Sequence, residues 1–414
     1  MTFIKHHIAP FLLALLVCFL LVRTGKINSF SKDQIQSADS ALTSDTYYPY
    51  PYDINTELWL RYHLKNKSVV IMGSSELTAQ TRNYISNKFL SDSLHLPCIA
   101  FGKGGNQCFD IFCQLLSFNK ELKNARVVVI LSPGWFDEYS EGTSAEMFLL
   151  YNNRRTLGYI LADDSVPGEF KNYIGKYIAK HLPSIDAPDE NLLGFYYWNK
   201  QSNPINKITT YPFAAFHEFC WNKRNALFTA AYAAQKFPYP VNYSETDKMI
   251  WQPKTTSTDP QFHEPDWDSL CAQELNAFTI ASSNNTSGIE NDYYNTWVKG
   301  KALKKIKTFH PETNTEYQDF LMLMKLLDHY DANAYFIIQA LNPYAFESPE
   351  KLDPVVNALE TEIAAHNYKC FNMFTSSKEK YVKGTLNDIM HTGDYGWLLI
   401  DREIAHHYFK PYAK

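Results

Sequence analysis

Two polar groups far apart in the chain have the residue types needed to transfer an acyl group. The first is Ser75, which follows Gly73 and Ser74 at the end of the apolar run in "VVIMGSSEL". A serine displayed at a strand-to-helix turn becomes a nucleophile when a neighbouring base removes its proton. Its own backbone N–H, at a helix start, faces the negative charge that develops on an attacked carbonyl. The second group is "DIMHTGDYGW", in which Asp388 stands three residues before His391. In a tight turn this spacing lets the carboxylate reach the imidazole Nδ1–H and leaves Nε2 to accept the serine proton. Each signal alone has a plainer reading, since Gly-Ser turns also cap helices and an acid three residues before a histidine arises by chance. Glu76 reads as an acid favoured in a helix first turn, without a catalytic task.

A parallel sheet is the element that brings such distant groups together. "SVVIM" (68–72), "PCIAFG" (97–102), "ARVVVILSP" (125–133), "NAYFIIQALNP" (333–343) and "CFNMF" (370–374) are short apolar runs ended by glycine, proline or polar residues. Between them lie segments with apolar positions at helical spacing: "LTAQTRNYISNKFL" (77–90), "NQCFDIFCQLLSFNKEL" (106–122), 349–366 and 394–409. Strands alternating with helices predict an α/β fold, a three-layer sandwich with helices on both faces of a parallel sheet. Ligands of such sheets bind beyond the carboxyl ends of the strands. From about 140 to 325 the pattern loosens into helices and loops rich in Tyr, Trp and Asn, which reads as an insertion or cap over one end of the sheet.

Composition narrows the partners. The 414 residues carry a formal net charge of −5 and a pI near 6.2, so no global positive field gathers nucleic acid, and any anionic substrate must be held locally. Seven cysteines occur without metal-ligand spacing and read as small buried apolar residues. His6-His7 and His406-His407 are adjacent pairs, which present no chelating face, so no metal or other cofactor is expected. Asn242, Asn284 and Asn285 begin glycosylation sequons of the kind that chance supplies.

At the amino end, "IAPFLLALLVCFLLV" (8–22) carries no charge. Extended back past Lys5 to Phe3, it nears the ~20 residues that span a bilayer. No small-residue cleavage pattern follows it, which favours an uncleaved anchor over a signal peptide. The expected organisation is an anchor over 1–26, a Ser-, Asp- and Tyr-Pro-rich linker over 27–60, and one domain over 61–414. Lys5 on one side and Arg23, Lys26 and Lys32 on the other leave the anchor's orientation undecided.

A serine after the first strand, joined to a carboxyl-terminal D-x-x-H before the last helix, resembles the SGNH (GDSL-like) hydrolase superfamily. Gly73-Ser74-Ser75 takes the place of its Gly-Asp-Ser, which makes Ser75 rather than Ser74 the nucleophile. The resemblance also implies oxyanion donors in the loop after the second strand, "FGKGGNQ", so Gly104 or Gly105 is expected to donate. After the third strand the superfamily offers an asparagine, but "SPGWFD" has none, and Asn106 is the candidate substitute. A glycine-rich turn needing positive φ is the plainer reading of these residues.

Seven blocks in order, "GSSEL", "GKGGNQ", "SPGWF", "TSGIENDYY", "TEYQDFLMLMKLL", "IIQALNPY" and "DIMHTGDYGW", are similar to the DltD family over roughly 61–410. Two positions depart from its usual pattern: Gly134, where the family reads SPQWF, and Asp394, where it often reads H-x-G-W-x-G-W. The resemblance implies a membrane-anchored domain facing outward, with its amino terminus inside. It would work with an MBOAT-type acyltransferase and a D-alanyl carrier system to place D-alanine esters on teichoic acid. Two other functions fit the same residues: an SGNH esterase or O-acetyltransferase of envelope polysaccharide, and a scaffold of the D-alanylation complex in which Ser75 does no chemistry.

Overall fold

In the computed structural model the described residues are Thr46–Tyr47, Leu60, 63–78, 83–138, 140–152, 154–181, 193–194, 197–198 and 262–410. The apolar stretch 8–22, most of the 27–60 segment and the sequon at Asn242 lie outside them. No helix among the described residues is long and apolar enough to cross a membrane.

The chain divides into two compact units. One comprises Leu42–Leu157 and Asn242–Lys414, and the other Met1–Ala41 and Gly158–Val241. In the second, the helix Gly168–His181 has Gly175 so close to the Gly194 carbonyl that a Cβ would overlap it, and Lys171 Nζ lies 3.5 Å from the Tyr197 hydroxyl.

The first unit carries the sheet. In chain order its main elements are β1 (Thr46–Tyr47), β2 (Val69–Gly73), β3 (Cys98–Gly102), α1 (Cys108–Leu116), β4 (Arg126–Leu131), α2 (Ala145–Tyr151) and α3 (Trp267–Ala281). They continue with β5 (Lys304–Lys305), α4 (Thr315–His329), β6 (Asn333–Ile338), β7 (Phe346–Glu347), α5 (Asp353–Ala365), β8 (Lys369–Asn372) and α6 (Asp394–Tyr408). Six strands form one sheet in the order β1-β3-β2-β4-β6-β8, every pair parallel, and β5 pairs with β7 in a separate two-stranded sheet.

Alternation along the strands sends side chains to two cores. Val69, Ile71, Cys98, Ala100, Val128, Ile130 and Ile337 pack on one face with Trp397, Leu398, Ile400 and Ile404 of α6 and Trp267 of α3. On the other face Phe336 meets Phe320 of α4 edge to face at 6.3 Å, and α4 is tied to α1 by the Cys108 N–H, which donates to Glu316 Oε1 at 2.9 Å. Both faces are buried, consistent with a three-layer α/β/α arrangement. Each large side chain so buried contributes about 1.5–3 kcal/mol. Cys98, Cys108, Cys113 and Cys271 are buried and Cys370 is half-buried, all as free thiols.

Two details differ from the sequence expectation. Thr46–Tyr47, inside the segment read as a linker, adds an edge strand by pairing with Ala100 and Phe101. And Ser75–Thr78 form a four-residue 3-10 turn, while Asn83–Ile85 lie outside any helix ahead of the short helix Ser86–Lys88. The Asp394 carboxylate accepts the N–H groups of Asn83 (2.9 Å) and Tyr84 (3.3 Å), donors that a continuous helix would spend on its own carbonyls. Asn and Ser side chains in this stretch add local competition with helix.

The chain leaves β2 to one side for β3 and returns to the other side for β4, so a crevice opens beyond the ends of β2 and β4. At those ends the sheet is pinched: Gly73 and Gly102 are register partners, and a Cβ on Gly102 would overlap the Gly73 carbonyl. Gly102→Ala is therefore expected to destabilise the protein by about 1–3 kcal/mol through overpacking against fixed backbone. Urea unfolding checks it; a midpoint equal to wild type would show that the two strand ends can part.

Candidate active site

The pinched end of β2 delivers Ser74 and Ser75 into different surroundings. Ser74 is buried: its hydroxyl accepts the Gly105 N–H at 3.0 Å and donates to the Lys103 carbonyl at 3.3 Å, which ties the β2 turn to the loop after β3. Ser75 is half-buried, and its Oγ lies 3.1 Å from His391 Nε2. His391 Nδ1 in turn meets Asp388 Oδ2 at 2.7 Å. The structure thus brings together Ser75, His391 and Asp388 across 316 residues of sequence.

Asp388 uses both oxygens. While Oδ2 orients the imidazole, Oδ1 accepts the backbone N–H groups of Met390 (2.8 Å) and His391 (2.7 Å). Burial pushes the Asp388 pKa up, but the His391 hydrogen bond and charge and these two N–H donors outweigh it. The net shift is below the ordinary aspartate value of 3.8.

The D-x-x-H loop is braced from outside. Its ends are joined by the Asn387 N–H to the His391 carbonyl at 3.0 Å and by a Leu386–Thr392 bridge. Gln339, one residue beyond β6, donates its side-chain amide to the Met390 carbonyl. Asn342 donates its backbone N–H to Ile389 at 3.2 Å and its amide to the Ser287 carbonyl at 2.9 Å. The Glu290 N–H reaches the Asn387 carbonyl at 2.9 Å. Sequence reasoning assigned no role to Gln339 or Asn342, although polar amides directly after an apolar strand were the available signal.

The loop after β3 divides its expected donors. Gly105 N–H is taken by Ser74, and Met147 Sδ packs where a Gly105 Cβ would stand. The Asn106 amide donates to the Gly73 carbonyl (2.9 Å) and to Gln114 Oε1 (3.3 Å), while its oxygen accepts from Gln114 Nε2 at 2.8 Å. It is fully buried and fastens the β2 end. Gly104 lies beside Ser75, a Cβ there falling 3.6 Å from Ser75 Cβ, and its carbonyl accepts from Tyr151 of α2 at 2.5 Å. Among the described residues its N–H has no acceptor. Since Ser75 starts a short 3-10 turn, individual N–H groups rather than a helix macrodipole are available to an oxyanion.

Glu76 is buried, and its Oε1 accepts the Ser74 N–H at 2.5 Å. Burial raises its pKa, against the pull of that N–H and of His391. A cavity of about 420 Å³ opens over these residues, lined by Ser75, Glu76, Ser132, Trp135, Gln339 and Met390 and, from the 140–325 region, Lys304 to Lys307. The adjacent histidines near the carboxyl end go separate ways: His406 Nε2 contacts Glu264 Oε1 at 2.5 Å and His407 lies tilted against the Tyr335 ring, centroids 4.5 Å apart.

Ser75, His391 and Asp388 thus form one hydrogen-bonded series beyond the carboxyl ends of a parallel sheet. The family profile described as DltD protein matches residues 53–409. The chain belongs to the DltD family. It is 20% identical over 346 residues to Protein DltD of Staphylococcus aureus (strain NCTC 8325 / PS 47), covering 83% of this chain and 81% of that protein. It is 25% identical over 361 residues to Protein DltD of Bacillus subtilis (strain 168), covering 82% and 81%. In this DltD-family chain the "IIQALNPY" and "TSGIENDYY" blocks are the braces of the D-x-x-H loop.

Two outcomes follow. Asn106→Ala leaves the buried Gly73 carbonyl and the Gln114 amide unsatisfied and is expected to cost about 1–3 kcal/mol, read by chemical unfolding. Because the folded-state pKa of Asp388 is depressed, its stabilisation is present above pH 3.8 and lost as pH falls through the lower folded-state value. The stability gap between wild type and Asp388→Asn should therefore close on acidification; a gap that widens there would contradict the assignment.

Proposed function

We propose that this chain is a membrane-anchored, serine-dependent acyltransferase that esterifies hydroxyls of a cell-envelope polymer, such as lipoteichoic acid, with D-alanine. The observation that carries the reading is the Ser75–His391–Asp388 chain of hydrogen bonds at the mouth of the cavity. Membership of the DltD family supports D-alanyl as the acyl group. The SGNH-like arrangement, the amino-terminal anchor over 1–26 with its terminus inside, an outward-facing domain, and an MBOAT-type acyltransferase and D-alanyl carrier system as partners belong to the same proposal.

His391 Nε2 accepts the Ser75 proton as Oγ attacks the donor carbonyl, and Asp388 stabilises the imidazolium that forms. The N–H groups of Ser75 and Gly104 receive the developing oxyanion. Collapse breaks the bond to the donor, whose leaving group takes the proton from His391, and D-alanine remains as an ester on Ser75. An acceptor hydroxyl then gives its proton to His391 and attacks that ester. Ser75 leaves and recovers its proton. Asp137 and Glu138 on the cavity wall supply negative charge for the alanyl ammonium. Transfer wins over hydrolysis when the acceptor hydroxyl is positioned better than water, a task for the lining from the 140–325 region.

The test is labelling of the full-length protein in membranes with a fluorophosphonate probe. Wild type should label at Ser75, and Ser75→Ala should not. His391→Ala should lose about 10⁴-fold or more in turnover. Full envelope D-alanylation in cells carrying Ser75→Ala and His391→Ala would instead make the chain a scaffold.

A further inference from the structure

The overall charge of −5 hides one strongly basic segment. Lys299, Lys301, Lys304, Lys305 and Lys307 fall within nine residues, and no acid occurs between Asp292 and Glu312. Three of these lysines, Lys304, Lys305 and Lys307, line the cavity that contains Ser75.

Their backbone is fixed while their side chains stay exposed. The Lys304 N–H donates to the Ala345 carbonyl at 3.0 Å, and the Lys307 N–H donates to Asp137 Oδ1 at 2.6 Å. Between them Ile306 is buried, and its carbonyl accepts from Lys351 Nζ at 3.3 Å. β5 is held to β7 with Lys305 in register with Glu347. Yet among the described residues none of the three ammonium groups has an acidic partner in an ion pair. Upstream, Lys301 lies 5.2 Å over the ring of Trp297, which is 60% exposed and extends the same segment.

Unpaired cations on a braced strand cost self-repulsion, and an anion relieves it. Lysine is a compact point charge that meets a tetrahedral phosphate from many directions, whereas arginine's fork suits fixed bidentate pairing; this segment contains no arginine. Several such charges in a row suit a repeating anion that must shift along the site between turnovers.

We propose that Lys304, Lys305 and Lys307 hold a phosphodiester strand of the acceptor polymer at the cavity mouth, presenting its hydroxyls to the ester on Ser75. This rests on the acyl-transfer reading for its purpose, but not for its measurement. Lys299 and Lys301 extend the track away from the cavity.

The experiment is binding of synthetic poly(glycerol phosphate) to the full-length protein in detergent micelles across a salt series. Wild type should bind with an affinity that falls as salt rises. The Lys304→Gln/Lys305→Gln/Lys307→Gln variant should lose at least about ten-fold in affinity. Its slope of log affinity against log salt should flatten by about 2, at roughly 0.7 per phosphate on a single-stranded polyanion. The corresponding triple arginine variant should restore binding, and each single glutamine variant should lose part of it, which guards against misfolding of the triple. A charge-matched triple at Lys120, Lys123 and Lys369, at the amino-terminal end of the strands, should bind as wild type does.

Equal binding by wild type and the glutamine triple, equal loss in the charge-matched triple, or equally tight binding of a carboxylate polymer such as polygalacturonate overturns the proposal. Lysine-dependent binding in a protein whose Ser75 resists fluorophosphonate would uphold the anion site and remove the acyl-transfer reading. Labelled Ser75 with lysine-independent binding would do the reverse.

Discussion

The site depends on one carboxylate. Asp388 holds the imidazole with one oxygen and its own turn with the other, so the loop's shape and the imidazole's orientation rest on the same carboxylate. A buried carboxylate is unfavourable unless its lone pairs are filled. Two backbone N–H groups and the imidazole fill them and hold the pKa below its ordinary value despite burial. Without that anion the loop would lose its anchor, and the imidazole would lose the partner that keeps Nε2 turned to Ser75.

Around that carboxylate the sheet acts as a jig. β2 supplies Ser75, β4 leads to Ser132 and Trp135 on the cavity wall, and β6 leads to Gln339 and Asn342, which hold the histidine loop. The Gly73–Gly102 contact and the Asn106 amide fix where β2 ends, and Ser74 ties that end to the β3 loop. Ser74 and Ser75 are adjacent in sequence, yet the turn spends one hydroxyl on structure and leaves the other facing His391. Ser75 sits at a strand end, whereas His391 and Asp388 sit in the segment between β8 and α6, whose braces take over the task of limiting how far the geometry can relax.

Much of this was legible in the sequence because it is local. The apolar runs at 68–72, 97–102, 125–133 and 333–343 correspond to strands, and D-x-x-H sits in the turn its spacing required. What escaped was long-range. Nothing near residues 83–84 announces that Asp394 will take their N–H groups. Two residues of a polar segment, Thr46–Tyr47, join a sheet edge through backbone bonds that carry no side-chain signature. Gly105 and Asn106 had suitable donors for an oxyanion, but their partners, Ser74 and Gly73, are set by the meeting of two strand ends. Gln339 and Asn342 looked like the polar end of a strand, and only the fold shows the loop that they hold.

The central claim is that an acyl group passes through Ser75. Its most direct test is peptide mass spectrometry of the full-length protein after incubation in membranes with its acyl donor and rapid acid quench. The account predicts a mass increase of one alanyl group on the peptide bearing Ser75, absent in Ser75→Ala and His391→Ala and lost when acceptor polymer is added. Acceptor D-alanylated at the wild-type rate by Ser75→Ala, with no adduct at Ser75 in the wild-type protein, would contradict it.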